Sequence, residues 1–319
     1  TFEEYLSIPN VSPAYSSTWE QDGHMEKAIL LFEKWAREHA PKNSTIFIQR
    51  IEGKTPLLLI DVPALEKTGN DTILLYGHID KQPEMLGWRD DINPWGAFYE
   101  EDRLYGRGSA DDGYAMFSAI MVANDLEDSK TPHPRLLIVI EASEESGSPE
   151  LPLHLEKLDE SLRENKCKQI GDVALVVCLD SGALTYEHLW ITNSLRGLIE
   201  IRLTIRSLDS GTHSGAAGGI VPSTTNILRT LLDRISKAPS GEIILDELNI
   251  EIPDHIRLAA ENVAEILGST DAHGLPFAKG VEPLVQSVAD QLIANTYKPA
   301  LEIIGIDGIP STADAGNVL

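Results

Sequence analysis

The sequence predicts an α/β fold for the first part of the chain, followed by a smaller α+β domain. Its 319 residues suffice for about two domains. Three continuously apolar segments, TILLY, LLIVI and VALVV, are separated by segments with helical spacing, which is typical of strands covered on both faces of a parallel or mixed sheet. We therefore predict a mixed, mostly parallel sheet with helices on both faces in residues 1–194 and the α+β domain in residues 195–319.

Helical and strand-like segments alternate along the first part. Apolar residues at helical spacing predict a helix over residues 25–39, and IFIQRI, LLLIDV and TILLYGH are predicted strands. Beyond them, the patterns predict a helix over 112–126, a strand from Arg135, a helix near 151–166 and a strand ending at Asp180. This alternation indicates α/β architecture.

The pattern changes after about residue 193. Apolar and polar residues alternate one by one over residues 199–206 (IEIRLTIR), which is typical of a strand in a sheet with one solvated face. Three helices and a final strand are predicted after it: from Pro222, over 254–267, over 282–294 and, for the strand, from Ala300. This part therefore reads as a separate α+β domain.

The chain is strongly acidic. It has 26 Lys and Arg residues against 50 Asp and Glu residues, a formal net charge of −24, which repels nucleic-acid phosphates and anionic lipids. No segment approaches the roughly 18 consecutive apolar residues of a membrane-spanning helix. We therefore expect neither a nucleic-acid partner nor a membrane partner.

Cysteine usage favours a reducing, cytoplasmic location. Only Cys167 and Cys178 are present, without a CxxC pair, which excludes a disulfide framework and a cysteine-rich zinc site. Cys178 is predicted to be a small buried hydrophobe inside its strand. The N-terminal sequence TFEEYLSIPNVSP lacks the basic and apolar stretches of a signal peptide.

Acidic and imidazole side chains concentrate at predicted strand ends and in one glycine-rich turn. The candidates are His78 and Asp80 in GHID, Asp111 in GRGSADDG, Glu144 and Glu145 in EASEESGS, and Asp180 in CLDSG. Open α/β sheets bind ligands beyond the carboxyl ends of their strands, so we expect these groups to lie together. Taken singly, His78 also reads as a structural histidine, and Asp111 or Asp112 as the cap of a helix.

A divalent cation would explain these segments together. The adjacent carboxylates of Glu144 and Glu145 repel each other unless a cation or a shared proton offsets the repulsion. Carboxylates and imidazole without thiolate suit zinc, and also manganese or cobalt. One carboxylate bridging two ions is the arrangement of two-metal hydrolases, and it leaves an additional glutamate free as a base.

The order and spacing of six segments resemble the M20 family of metallopeptidases, in particular its carnosinase-like, cytosolic dipeptidase branch and bacterial relatives. The segments are YGHIDKQP, GWRDDINPW, LYGRGSADDGYAMF, EASEESGSPEL, CLDSG and THSGAAGG. The resemblance runs from about residue 5 to the end. It implies a catalytic α/β domain and a smaller α+β lid that mediates homodimers.

The resemblance also implies how metal would be bound. Two divalent ions, zinc or alternatively manganese or cobalt, would be held by His78, Asp111, Glu145 and Asp180, with Asp111 bridging both. This branch has one more metal-binding histidine and a substrate-binding arginine toward the end of a longer chain, and nothing in the sequence matches them. We therefore expect the chain to lack the C-terminal portion of the family and one ion to lack a ligand.

Three further residues receive catalytic roles from the resemblance. Glu144 would be the general base, and Asp80 would orient His78. His213 of the THSG segment would reach the site of the partner subunit and help to stabilise the transition-state oxyanion.

The sequence thus predicts metal-dependent hydrolysis of the amide bond in dipeptides or short peptides. Two alternatives remain open: hydrolysis of N-acyl or N-carbamoyl amino acids by the same metal core, and a catalytically silent, truncated homologue. The absence of GxSxG disfavours a serine hydrolase, and the absence of GxxxxGK[ST] and GxGxxG disfavours nucleotide binding.

Overall fold

The computed structural model describes residues 1–65, 71–268 and 272–318. The chain divides into two units, Thr1–Gly182 and Ala183–Leu319. The sequence-based boundary between a catalytic and a lid domain, at residues 194/195, stays a prediction. Each unit is described by itself.

Five strands of the first unit form one mixed sheet. The strands of this unit are β1 (Thr45–Gln49), β2 (Leu57–Val62), β3 (Asp71–His78), β4 (Phe98–Glu100), β5 (Arg103–Tyr105), β6 (Arg135–Glu141) and β7 (Asp172–Cys178). The sheet has the order β1-β2-β6-β3-β7, and β4 and β5 form a separate hairpin. β2 runs antiparallel to β1 and β6, whereas β3 is parallel to both β6 and β7. The predicted α/β fold with a mixed sheet is confirmed.

Helices cover both faces of this sheet, as predicted. They are α1 (Phe2–Leu6), α2 (Trp19–Asp22), α3 (His24–His39), α4 (Ala115–Asp128), α5 (Leu151–Glu156) and α6 (Leu158–Glu164). On one face a buried apolar cluster joins Phe32 of α3 to Ile60 of β2 and Ile138 of β6. On the other face a second cluster joins Leu158 of α6 to Leu59 of β2. The clusters divide in this way because successive side chains of a strand point to opposite faces.

The parallel strands bring three chain segments to one edge of the sheet. In the β3–β6 register His78 pairs with Glu141. On the other side of β3, Tyr76 pairs with Cys178 near the end of β7. The residues that follow these strands therefore leave the sheet at the same edge, which is where ligands of such sheets bind.

Strand β7 differs from the prediction that both of its faces are covered. It is the edge strand of the sheet, and Leu175 and Val176, which point to opposite faces, are 52% and 57% exposed. Cys178 is exposed as well, so the prediction of a buried thiol was wrong. The apolar run correctly predicts a strand, but a strand is buried only where other elements pack on it, and the described residues leave both faces of β7 open.

The second unit contains helices and a short hairpin. Its described elements are α7 (Ser214–Ala217), α8 (Thr224–Leu232), β8 (Ser236–Lys237), β9 (Glu242–Ile243), α9 (Asp254–Leu267) and α10 (Val288–Thr296). A small apolar cluster joins Ala260 of α9 to Leu292 and Ile293 of α10. The three predicted helices are thus present, α10 beginning later than predicted. No described helix of either unit is both long and apolar enough to span a membrane.

The two strands predicted in the second unit were wrong. Neither residues 199–206 nor the segment from Ala300 forms a strand in the described part of the chain. Ile199 and Ile304 are 73% and 85% exposed. Alternation shows which face a strand would bury, but a strand also needs a neighbour to complete its hydrogen bonds, and the described residues supply none to these segments.

Candidate metal centre

His78 ends β3 and lies fully buried at the carboxyl edge of the sheet. Its Nδ1 lies 3.1 Å from the main-chain oxygen of Asp80, to which a protonated Nδ1 donates. Its Nε2 has no hydrogen-bond partner. A buried polar atom without a partner costs about 1–3 kcal/mol. A bound ligand would therefore supply the partner that Nε2 lacks.

Three carboxylates surround Nε2 of His78. The nearest carboxylate oxygens lie 3.3 Å away in Asp111, 3.6 Å in Asp180 and 3.9 Å in Glu144. One ligand atom each from His78, Asp111 and Asp180 lie within 4.8 Å of one another. An imidazole nitrogen and carboxylate oxygens are ligands that zinc and related divalent ions prefer. Both the orphaned nitrogen and the donor set therefore fit a metal ion.

The carboxylate of Asp80 connects the end of β3 to the loop that carries Glu144 and Glu145. Its oxygens accept hydrogen bonds from the main-chain N–H groups of Glu144 (3.1 Å) and Glu145 (3.0 Å). Oδ1 also lies 3.5 Å from Nδ1 of His78. Hydrogen bonds to an ionised carboxylate are among the stronger ones. Asp80 thus contacts His78 and also holds the glutamate loop, a contact that the sequence did not indicate; its role in orienting His78 stays a prediction.

Glu144 and Glu145 begin a 3₁₀ helix, Glu144–Ser146, that follows β6. Gln82 donates a hydrogen bond to Oε2 of Glu145, whereas Oε1 is buried without a partner. Burial raises the pKa of Glu145 to about 7, and the nearby carboxylate of Asp111 adds to the shift. Burial likewise raises the pKa of Glu144. Such shifts are typical of groups that bind cations or transfer protons.

The charges of His78 and Asp111 stabilise each other. Burial opposes a positive charge on His78, but the carboxylates of Asp111, Asp180 and Asp80 raise its pKa above the ordinary value. In turn, His78 lowers the pKa of Asp111. A proton on Nε2 and a metal ion would both supply the positive charge that these acids favour. Proton and metal therefore compete for the same nitrogen.

Asp112 is a buried acid without a role in the sequence-based prediction. Its side chain is fully buried, and neither carboxylate oxygen has a hydrogen-bond partner. Burial raises its pKa to about 7. Gly77 leaves room for it, since a Cβ at that position would lie 2.8 Å from Oδ2 of Asp112. The sequence does show Asp112 as the second Asp of the ADDG turn, but an Asp at this position is equally typical of a helix cap, so its burial beside the centre was not predicted.

Glu141, the last residue of β6, is another buried carboxylate beside the centre. It accepts hydrogen bonds from the hydroxyl groups of Tyr76, Ser143 and Ser148. Burial raises its pKa in spite of these bonds. The segment that follows β6 thus contacts the carboxylate of Glu141 through Ser143 and Ser148.

We expect the Glu141→Gln variant to gain stability relative to the unsubstituted protein as the pH rises. The folded-state pKa of Glu141 lies above its unfolded value of 4.5. Its contribution to stability is therefore fully present below the unfolded pKa and is lost as the pH rises through the folded pKa. Gln keeps an acceptor for the hydroxyl groups and has no charge to bury.

The measurement for Glu141 is the free energy of unfolding in urea, in the presence of a chelator, between about pH 4.5 and pH 8. The exposed Glu156 of α5 provides the control Glu156→Gln. A stability difference for Glu141→Gln that does not change with pH would contradict the raised pKa.

A shallow groove of about 440 Å³ lies along the loop after GHID. Met85, Trp88, Ile92 and Tyr105 contribute to its wall, together with Arg107. The guanidinium carbon of Arg107 lies 5.8 Å from the ring centroid of Trp88, and its charge contributes to the lowered pKa of Asp111. The groove therefore combines apolar wall residues with two arginines, Arg89 and Arg107, of which Arg107 acts on Asp111 of the acidic centre.

His213 lies in the second unit, where it is the N-cap of α7. Its Nδ1 accepts a hydrogen bond from the N–H of Gly215 (3.0 Å), and its Nε2 lies 2.7 Å from Nδ2 of Asn317. The imidazole is thus oriented by partners in its own unit. Its role at the site of a partner subunit stays a prediction.

The chain belongs to the peptidase family M20/M25/M40, whose family model matches residues 74–317. The match begins within β3 and includes all of the predicted site residues. Membership in a family of metallopeptidases agrees with the cluster of His78, Asp111 and Asp180, which fits a divalent metal.

Individual relatives include two kinds of dipeptidase. The Cys-Gly metallodipeptidase DUG1 of Saccharomyces cerevisiae is 26% identical over 306 residues, which cover 92% of this chain and 61% of the relative. The Beta-Ala-His dipeptidase of Homo sapiens is 25% identical over 260 residues, which cover 79% of this chain and 48% of the relative. The chain therefore spans about half to three fifths of the length of these relatives.

Solved structures show the same fold at lower identity. Human carnosine dipeptidase 1 superposes with a TM-score of 0.61 at 18% identity, covering 99% of this chain and 65% of the other. The M20 family metallo-carboxypeptidase Sso-CP2 from Sulfolobus solfataricus superposes with a TM-score of 0.68 at 16% identity, covering 99% and 67%. The architecture is thus that of the family.

Proposed function

We propose that this chain carries the metal centre of a peptidase that hydrolyses the amide bond of dipeptides or short peptides. The observation that carries the proposal is the buried Nε2 of His78, which lacks a hydrogen-bond partner and faces carboxylates from three other segments. Such a gathering of acids is costly unless a cation offsets their repulsion. Family membership supplies the class of reaction.

We assign two divalent ions to the centre, zinc in the first place, with manganese or cobalt as alternatives. His78 and Asp180 would bind one ion and Glu145 the other, while Asp111 would bridge them. The bridging role is supported by the 3.3 Å contact of Asp111 with Nε2 of His78 and by the charge of Asp111, which helps burial to raise the pKa of the nearby Glu145. When bound, the ions would polarise the scissile carbonyl and lower the pKa of a water molecule.

Glu144 is assigned the proton transfers. Its Oε2 lies 3.9 Å from Nε2 of His78, and its side chain is 32% exposed, so that water reaches it. Burial raises its pKa, which brings a carboxylate closer to the pH at which it both accepts and returns a proton. Glu144 would take a proton from the attacking water and deliver it to the leaving amine. Asp80 would keep it in position through the bond to its main-chain N–H.

The second unit is assigned the remaining roles. His213 would stabilise the oxyanion at the site of a partner subunit, and a homodimer would form through this unit. Exposed apolar side chains in the unit support an interface, among them Ile199, Ile201 and Leu203. We assign the protein to the cytoplasm because Cys167 and Cys178 are both free thiols.

Dipeptides are the proposed substrates because the names of two relatives, Cys-Gly metallodipeptidase and Beta-Ala-His dipeptidase, both specify dipeptides. The groove beside Arg107 would receive part of such a substrate.

The test is a substrate panel for the purified protein supplied with Zn²⁺, Mn²⁺ or Co²⁺. We expect hydrolysis of Cys-Gly, β-Ala-His or another unmodified dipeptide, loss of this activity with chelator, and recovery when metal is added back. N-acetyl and N-carbamoyl amino acids serve as comparison substrates. Cleavage of these compounds without cleavage of any dipeptide, or activity that survives the chelator, would contradict the proposal.

A further inference from the structure

The N-terminal segment, residues 2–14, contacts three of the loops that carry residues of the proposed centre. These loops are residues 79–82 after β3, the turn 108–113, and the 3₁₀ helix Glu144–Ser146. Two fully buried side chains, Tyr5 and Lys81, make many of the contacts. Lys81 belongs to the GHIDKQP motif but has no part in the proposed chemistry.

Lys81, three residues after His78, forms hydrogen bonds with the main chain at the end of α1 and just beyond it. Its Nζ donates hydrogen bonds to the main-chain oxygens of Tyr5 (2.8 Å) and Ile8 (2.9 Å). Burial and the nearby charge of Arg107 lower the pKa of Lys81 to about 7. Because the ammonium and the neutral amine both have at least two N–H donors, the two bonds persist in either state.

Tyr5 contacts the same strand end. Its hydroxyl donates a hydrogen bond to the main-chain oxygen of Ile79 (2.9 Å), the residue after His78. Nδ2 of Asn10 donates to the same oxygen (2.6 Å). The Tyr5 ring also lies against Lys81, whose Nζ is 4.0 Å from the ring centroid, a favourable cation–π distance when the amine is charged. The peptide next to His78 is thus held from the N-terminal segment.

The same two side chains support the turn that presents Asp111. The N–H of Gly113 donates to the main-chain oxygen of Gly108 (3.2 Å) and closes the turn. A Cβ at Gly113 would lie 2.1 Å from Cε1 of Tyr5, and a Cβ at Gly108 would lie 2.6 Å from Cε of Lys81. The main chain of the turn therefore rests directly on Tyr5 and Lys81, and the glycines make this approach possible.

The N-terminal segment reaches the glutamate loop as well. The hydroxyl groups of Ser12 and Ser146 are 2.6 Å apart, and the N–H of Ala14 donates to the Ser146 hydroxyl (2.9 Å). The N–H of Ser12 also donates to the main-chain oxygen of Lys81 (2.9 Å). One short segment therefore connects the three loops to each other.

We propose that Tyr5 and Lys81 are positioning residues of the metal centre, which hold the end of β3 and the Asp111 turn in the arrangement that binds metal. The inference rests on the proposed function, since it concerns the same centre. Contacts behind metal ligands orient them, and their loss typically weakens metal binding by about 10–100-fold. Tyr5 and Lys81 act on His78 and Asp111 through the main chain and touch neither side chain's ligand atoms.

The test is a titration of the metal-free protein with Co²⁺, whose visible absorption reports both affinity and coordination geometry. Lys81→Met removes the donors but keeps an unbranched apolar chain, and Tyr5→Phe removes only the hydroxyl. The matched control is Thr72→Val at the opposite end of β3, because the buried Thr72 hydroxyl also donates to a main-chain oxygen, that of Ile170 (2.7 Å). Free energies of unfolding are measured for every variant.

We expect Lys81→Met to weaken Co²⁺ binding by about tenfold or more and to alter the spectrum. Tyr5→Phe should weaken binding by a smaller factor, and Thr72→Val should lower stability without changing affinity or spectrum. If Lys81→Met does not fold, the proposal is tested by comparing the Co²⁺ affinity and spectrum of Tyr5→Phe with those of Thr72→Val. The proposal is overturned if Tyr5→Phe binds Co²⁺ like the unsubstituted protein, or if Thr72→Val loses as much affinity. Failure of the unsubstituted protein to bind Co²⁺ would instead contradict the proposed function.

Discussion

The Glu144→Gln variant is expected to lose turnover by a factor on the order of 10²–10⁴ while keeping its bound metal. Gln has the same size and keeps the main-chain bond to Asp80, but its amide cannot accept the proton of the attacking water. The measurement combines kcat on the best dipeptide with the metal content of the purified variant. Loss of kcat at unchanged metal content identifies a proton-transfer role.

The control for Glu144→Gln is Glu156→Gln, a change of the same chemistry at an exposed position of α5. It should leave both kcat and metal content unchanged. A Glu144→Gln variant with normal turnover would exclude Glu144 as the base. One that loses metal in parallel with activity would reassign Glu144 as a ligand.

The Asp111→Asn variant is expected to lose both ions, because the proposed bridge serves the two of them. Asp180→Asn should lose the ion on the His78 side and retain the other. We expect Asp111→Asn to weaken metal binding by more than the roughly 10–100-fold that is typical of residues behind the ligands. The measurement is the stoichiometry and affinity of Zn²⁺ by calorimetry and elemental analysis.

Asp128→Asn, an exposed substitution in α4, is the matched control and should bind metal like the unsubstituted protein. Equal losses in Asp111→Asn and Asp180→Asn, one ion each, would contradict a bridge at Asp111. Full binding by Asp111→Asn would remove it from the centre.

The closeness of His78 and Asp180 could be predicted from the sequence because parallel strands impose a simple rule. The runs before His78, Glu144 and Asp180 predict buried strands, and parallel strands end at one edge of the sheet. The structure brings His78, Asp111 and Asp180 within 4.8 Å of one another, ligand atom to ligand atom. Residues that follow parallel strands can therefore be predicted to lie close together even when they are far apart along the chain.

What the sequence does not reveal depends on neighbours that are distant along the chain. The apolar pattern of β7 and the alternation over residues 199–206 describe what each segment would bury, yet not which element packs against it. The buried state of Asp112 depends on the space that Gly77 leaves. Likewise, Lys81 is an ordinary cation in the sequence, and only the main-chain carbonyl groups of Tyr5 and Ile8 explain its burial.

The most direct test of the proposed two-metal centre is anomalous scattering, at the zinc and manganese absorption edges, from crystals grown with each metal. We expect two peaks: one about 2.0–2.2 Å from Nε2 of His78 and from an oxygen of Asp180, and the other beside Glu145, with Asp111 next to both. A protein that binds no ion at His78, or whose ions lie away from Asp111, would contradict the proposed centre.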